Sequence, residues 1–388
     1  MEFDINTFLE GNIYVITKTN KYNMSERGKI RVGITQGDIN GIGYEIIFKT
    51  FENTEMFDIC TPIIFGSPKA AAYHRKALEM EIQYNAIEKA ADAQAGKLNI
   101  VNCNDDELHI ELGSSNPEAG KAAFQALEKA VEAYRNGDID VIVTAPIDKN
   151  AIQSEQFCFP GHTEYLQKCC GEGEKALMIL CSDTLRVAVA TSHLALRDIP
   201  AAITPELLEE KITLLNDSMK RDFNIDAPKI AVLSLNPHAG DNGLLGKEEI
   251  EVITPTIRKM NDGGIFCYGP FAADGFMGSG KYTQFDAILA MYHDQGLAPL
   301  KALAMNNGIN FTAGLSIIRT SPAHGVAYDI AGKGLADENS FRQAIYAAID
   351  ILRNRKFYAE ARRNPLRKLY FEKRDDSNRL NLQLPDND

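Results

Sequence analysis

The sequence predicts an α/β protein of parallel layers divided into two packed domains. Short apolar runs of strand length alternate with stretches of helical period along most of the chain. At 388 residues the chain is too long for one ordinary core. No internal repeat or low-complexity linker is visible, so a domain boundary must be a crossing between packed lobes, not a tether.

Residues 30–35 (IRVGIT) read as a buried strand and 43–52 (GYEIIFKTFE) as a helix. A strand at 61–65, a helix at 68–80 and a strand at 97–101 follow. A long amphipathic helix covers about 117–136, ahead of a strand at 139–144 (IDVIVT). The pattern resumes with strands at 176–181, 185–191, 229–235 and 286–292, and helices at 205–220 and 246–261. Thr204 ahead of Pro205 and Glu206 is a strong helix opening, because the hydroxyl can cap an unpaired N–H and proline suits the first helical position. A helix is expected at 338–353 and a charged helical tail to about 374, with 375–388 polar and frayed. Residues 1–28 form an N-terminal extension that lacks the basic and apolar regions of a secretory signal.

Lys plus Arg number 41 and Asp plus Glu 53, a net charge of −12. That balance argues against nucleic acid or an anionic membrane as partner. It still permits an anionic metabolite where a few cations converge in a cleft. No apolar run reaches transmembrane length. The seven cysteines are odd in number and show no metal-type CxxC spacing, which predicts reduced thiols and a cytoplasmic setting.

The histidines carry most of the chemistry. His74 and His109 lack polar company and read as surface residues. His193, His238 and His293 each follow a predicted strand, and open α/β folds bind ligands beyond strand carboxyl ends. One such histidine is more often bonded to its own loop; three with the same placement tip the balance towards a metal site. Lys301, Asn310 and Arg319 follow, the two cations in apolar company (PLKALA, SIIRTSP) that suits a paired or ligand-facing role. The turn GDINGIG at 37–43 is neither the GxGxxG nor the Walker pattern, so any dinucleotide must be held in another way.

The runs TQGDINGIGYEI, TAPIDKNAI, GHTEYL, LRVAVATSHLALRDIP, SLNPHAGDNGLLGKEEIEVI, AMYHDQGLAPLKAL and GINFTAGLSIIRTSPAHGVAYDIAGKG resemble the 4-hydroxythreonine-4-phosphate dehydrogenase family of vitamin B6 biosynthesis, from about residue 30 to about 350. HGVAYDIAGKG is also similar to the wider isocitrate and isopropylmalate dehydrogenase group. The resemblance implies two α/β/α lobes with the active-site cleft between them: 29–150 plus 300–388 in one, and 151–299, with the metal ligands and dimer contacts, in the other. It implies a homodimer whose divalent metal site (Zn, Co, Mg or Mn) is shared across the interface. The implied metal ligands are His193, His238 and His293, and the substrate contacts His162, Thr163, Lys301, Asn310 and Arg319. NAD would lie near His324, Gly325, Asp329 and Ile330, with Asp274 as candidate proton acceptor. The implied reaction is NAD-dependent oxidation and decarboxylation of 4-phosphohydroxy-L-threonine to 3-amino-2-oxopropyl phosphate and CO2. Alternatives are a sibling dehydrogenase for threonate or erythronate 4-phosphate, a metal-dependent phosphatase, and a non-catalytic metabolite-binding module. Where the family has GDPAGIGPE this chain has GDINGIGYE, losing two prolines but no proposed ligand.

Overall fold

The structure, a computed structural model, describes residues 29–104, 108–155, 157–304 and 306–364. The extension 1–28 and the tail 375–388 lie outside the described residues, as does the end of the helix expected to reach 374.

Among the described residues, twelve strands form one sheet: β1 (Ile30–Thr35), β2 (Cys60–Gly66), β3 (Tyr84–Ile87), β4 (Leu98–Asn102), β5 (Val141–Thr144), β6 (Leu177–Cys181), β7 (Arg186–Val189), β8 (Ile230–Leu233), β9 (Cys267–Phe271), β10 (Ala287–Ala290), β11 (Ile309–Ala313) and β12 (Arg319–Pro322). Their order is β3-β4-β2-β1-β5-β12-β11-β6-β7-β10-β8-β9. The run from β3 to β12 is parallel throughout, and so is the run from β7 to β9. Between them β11 pairs antiparallel with β12 and β6, and β6 with β7, so the two parallel blocks run in opposite senses. Central strands are buried on both faces, as parallel sheets covered by helices must be.

Among the described residues, eight α-helices of at least nine residues accompany the sheet: α1 (Gly43–Glu52), α2 (Pro68–Ala77), α3 (Pro117–Arg135), α4 (His162–Cys170), α5 (Pro205–Arg221), α6 (Thr254–Asp262), α7 (His293–Leu303) and α8 (Asn339–Ala361). Three begin with the same device, a capping side chain followed by proline. Ser67, Asn116 and Thr204 accept the backbone N–H of Ala70, Ala119 and Leu207 at 3.2, 2.8 and 3.2 Å. The long α8 touches β5, β12 and β11 through a stripe that includes Phe341, Ala344, Ile345 and Ala348, and it also meets α1 and α5. It thereby clamps the region where strand sense reverses.

Every strand expected from the sequence is present. Four others, β3, β9, β11 and β12, escaped the pattern. β12 is RTSP, which reads as a turn in isolation but is fully buried here. The helix expected over 246–261 opens with a π-helical turn, Glu249–Ile253, before α6. His74 is a correction: it is buried, not superficial, with Nε2 2.7 Å from the Ile39 carbonyl oxygen and its ring against Tyr44. Ala70, Ala71 and His74 share one helical face, and that face packs on α1. All seven cysteines are free thiols, and burial pushes those of Cys60 and Cys181 up to about 12.

Candidate active site

A cavity of about 230 Å³ opens where loops from the two parallel blocks meet. Beyond β5 the chain supplies Pro146, Ile147 and Lys149, and the start of α4 supplies His162, Thr163 and Glu164. His193 enters from the loop after β7. His293, Leu297 and Lys301 lie four residues apart on α7, so one helical face delivers all three. Met178 and Leu180 alternate along β6, with Asn310 opposite on β11; Arg319 and Ser321 alternate along β12. His324 and Gly325 close the rim.

Arg319 dominates the electrostatics. It is 4% exposed, yet its hydrogen-bond partners are neutral. Nε and Nη2 donate to Thr144 Oγ1 at 3.1 and 2.7 Å, Nη1 to Thr312 Oγ1 at 3.4 Å, and Nη2 to His162 Nδ1 at 3.1 Å. Burial lowers its pKa to about 10, and Glu164 offsets this in part. A buried guanidinium whose hydrogen-bond partners are neutral is costly, and an anionic ligand at this position would offset that cost. His162 is held neutral, first by burial and then by the charges of Arg319 and Lys149. Because its Nδ1 accepts from Arg319, the ring proton sits on Nε2.

The other imidazoles form a second group. The His193 and His293 rings lie 6.4 Å apart. His293 Nδ1 donates to Asp294 Oδ1 at 2.6 Å. His193 Nδ1 is 3.7 Å from Glu164 Oε1, and Lys149 Nζ donates to His193 Nε2 at 3.4 Å. The contact with His193 holds the Glu164 carboxyl below its usual range. Among the described residues, Asn310 Oδ1 and His324 Nε2 are buried without a hydrogen-bond partner, and both residues line the cavity. Such atoms in a cavity wall are open to a ligand.

A profile of the family described as "Pyridoxal phosphate biosynthetic protein PdxA" matches residues 58–348. A 4-hydroxythreonine-4-phosphate dehydrogenase of Bacteroides thetaiotaomicron is 62% identical over 94% of this chain and all of its own length. The chain belongs to the PdxA family. A D-threonate 4-phosphate dehydrogenase of Cupriavidus necator is 36% identical, covering 84% of this chain and 98% of its own. The crystal structure of a Klebsiella pneumoniae 4-hydroxythreonine-4-phosphate dehydrogenase superposes with a TM-score of 0.73 at 31% identity, over 84% of this chain and 98% of that one.

Within this PdxA-family chain the cavity gathers His162, Thr163, His193, His293, Lys301, Asn310, Arg319, His324 and Gly325 from the sequence-predicted set. His238 stands apart, exposed on a left-handed turn. Asp274 is exposed on the short helix Ala273–Gly278, and Asp329 and Ile330 lie in the turn Tyr328–Ile330, outside the cavity lining. Sequence reasoning did not single out Lys149, Glu164 or Thr144. Lys149 and Thr144 have the signal that selected the histidines, a place at or just beyond a strand end.

The donor chemistry fits a divalent metal in part. Two imidazoles with carboxylates at their Nδ1 atoms are the usual arrangement of ligands backed by an outer shell. Among the described residues, no group of three or more His, Cys, Asp or Glu is placed to hold an ion.

Proposed function

We propose that this chain is an NAD-dependent and divalent-metal-dependent dehydrogenase that oxidises and decarboxylates 4-phosphohydroxy-L-threonine to 3-amino-2-oxopropyl phosphate and CO2. The observation that carries the reading is Arg319, a buried cation with only neutral partners in a cavity that also holds Lys149 and Lys301. A cavity of about 230 Å³ suits a small phosphorylated acid, being below the range of about 300–1,000 Å³ for drug-sized ligands.

In this reading Arg319 and Lys301 bind the phosphate, assisted by Thr163 and the Nε2–H of neutral His162. Asn310 offers its unpartnered Oδ1 to a substrate donor. Lys149 screens negative charge where the substrate meets His193. A bound divalent ion would supply Lewis acidity at the reacting carbon's oxygen, and a bound nicotinamide a hydride acceptor. His193 and His293 would hold the ion; Lys149 must then leave the His193 Nε2 lone pair. His324, with a buried acceptor nitrogen, and Gly325, Asp329 and Ile330 would hold the dinucleotide.

The missing ligand is proposed to be His238 of a second copy, in a homodimer that would also bring Asp274 to the cleft as proton acceptor. Leu244, Leu245 and Ile250 are exposed close after His238, and Leu194 and Leu196 close after His193, which supports a covered surface there. The two opposed strand blocks support two lobes, 29–150 plus 300–388 and 151–299. Among the described residues no helix is long and apolar enough to cross a membrane. The seven free thiols suit a reducing compartment, and we assign the enzyme to the cytoplasm. The second reading is oxidation of D-threonate 4-phosphate, the activity in the name of the Cupriavidus necator relative.

The test is NADH formation by the purified protein with added divalent metal, on 4-phosphohydroxy-L-threonine and on threonate and erythronate 4-phosphates in parallel. Turnover confined to the amino acid is expected. Turnover confined to the hydroxy acids would move the substrate to the sibling class, and NADH from none would sink the dehydrogenase assignment.

A further inference from the structure

We propose that Tyr328 is a positioning residue whose hydroxyl clasps the carboxylates of Asp38 and Asp148 and so fixes two walls of the active-site cavity. The activity arm of its test rests on the dehydrogenase reading; the stability arm does not.

Three chain segments meet at this clasp. Tyr328 Oη donates to Asp38 Oδ2 at 2.8 Å and lies 3.2 Å from Asp148 Oδ2. Asp38 belongs to the turn after β1, and Asp148 to the loop that places Pro146, Ile147 and Lys149 in the cavity. Tyr328 follows His324 and Gly325, which form another part of the rim. Backbone bonds run beside it: Asp38 N donates to the Pro146 carbonyl at 2.9 Å and Ile42 N to that of Val326 at 3.1 Å. A Cβ on Gly41 would come within 2.8 Å of the Val326 carbonyl oxygen, so this approach tolerates little added bulk.

A phenol has one proton and here faces two acids. Asp148 is well supplied. Burial tends to raise its pKa, but Ser115 Oγ at 2.5 Å, the N–H groups of Asn150 and Ala151, and Tyr328 outweigh that and keep it low. Asp38 is 1% exposed, with Tyr328 and the Asn40 N–H as donors. Burial raises its pKa, Asp148 adds repulsion, and the two donors offset only part of this. The titratable groups facing Asp38 are therefore Tyr328 and Asp148. When Asp38 takes a proton from solvent, its O–H can donate to the Tyr328 oxygen while Tyr328 donates to Asp148. The clasp is then satisfied at every atom.

The sign of the linkage follows. With its folded pKa raised above the unfolded value, Asp38 destabilises the fold as pH rises through the folded pKa, and the penalty vanishes below the unfolded pKa. Asparagine at this position reproduces the protonated arrangement, accepting from Asn40 and donating to Tyr328.

The experiment compares full-length wild type, Tyr328→Phe, Asp38→Asn and the double variant. Thermal midpoints are followed from acid to neutral pH, and kcat and KM at neutral pH. Asp38→Asn should gain on wild type in midpoint as pH rises and keep turnover within about twofold. Tyr328→Phe should stay folded and lose roughly 10- to 100-fold in kcat/KM, the scale expected when a cavity wall shifts by about an ångström. The midpoint effects of the two substitutions should be non-additive. A Tyr328→Phe enzyme with wild-type kcat and KM, or additive midpoints, overturns the clasp. If Tyr328→Phe does not fold, Asp38→Ala takes its place: kcat/KM lost with alanine but kept with asparagine supports the clasp, and equal values in the two variants overturn it. If wild type forms no NADH, the dehydrogenase reading fails while the midpoints still judge the clasp.

Discussion

At the scale of single residues, the site is organised by a charge that folding alone does not neutralise. Arg319 is buried against two threonines and a neutral histidine, with Glu164 compensating its charge only in part, so an arriving anion would gain a bidentate partner there. Inorganic phosphate should therefore stabilise the wild type, by about 2.7 kcal/mol near a hundredfold excess over Kd. Arg319→Met should abolish that rise in thermal midpoint and the turnover with it. An equal rise in both proteins would show that phosphate binds elsewhere. The sequence made Arg319 and Lys301 visible because cations flanked by apolar residues are unusual at a surface. Lys149 and Glu164 had no such flag, since their environment is made by segments distant in the chain. The burial of His74 is hidden from the sequence for a related reason: the face of α2 that carries it becomes interior only once α1 packs there.

At the scale of elements, the segment carrying His238 departs most from ordinary backbone. His238, Ala239, Gly240, Asp241 and Asn242 all have positive φ, from 43° to 78°. L-residues resist this by roughly 1–2 kcal/mol each. The turn is held by buried Glu249, whose carboxylate accepts the N–H groups of Leu235 and Asn236 at 2.8 and 2.7 Å and the Asn236 amide at 2.9 Å. Ala239→Gly should relieve strain that exceeds the added chain entropy and stabilise the protein by about 0.5–1 kcal/mol, read from the urea midpoint. A clear loss of stability would show that the alanine methyl makes a contact worth more than the strain. Helix starts such as Thr204-Pro205 were legible because a cap is local chemistry. β12 was not, because RTSP becomes a strand only between β5 and β11.

At the scale of the whole molecule, the proposed metal site is incomplete in one chain, and the proposed remedy is a second. Leu244 is 79% exposed and Leu245 47%, beside the turn that presents His238. Wild type should sediment as a dimer, and Leu244→Glu with Leu245→Glu should give a folded monomer that no longer retains metal in equilibrium dialysis. A monomeric wild type, or a monomeric variant that still binds metal as wild type does, would refute the shared site. By itself the sequence determined the α/β class, most strands and helix starts, the family and most of the cavity's histidines and cations. Those depend on periodicity, capping and motif, which are properties of short stretches of chain. Only the tertiary structure decided the strand reversal at β11 and β6, the neutral hydrogen-bond partners of buried Arg319, the separation of His238 from His193 and His293, and the contacts of Tyr328 with Asp38 and Asp148. Each depends on burial and on distances between segments far apart in sequence, and the chain acquires those only when it packs.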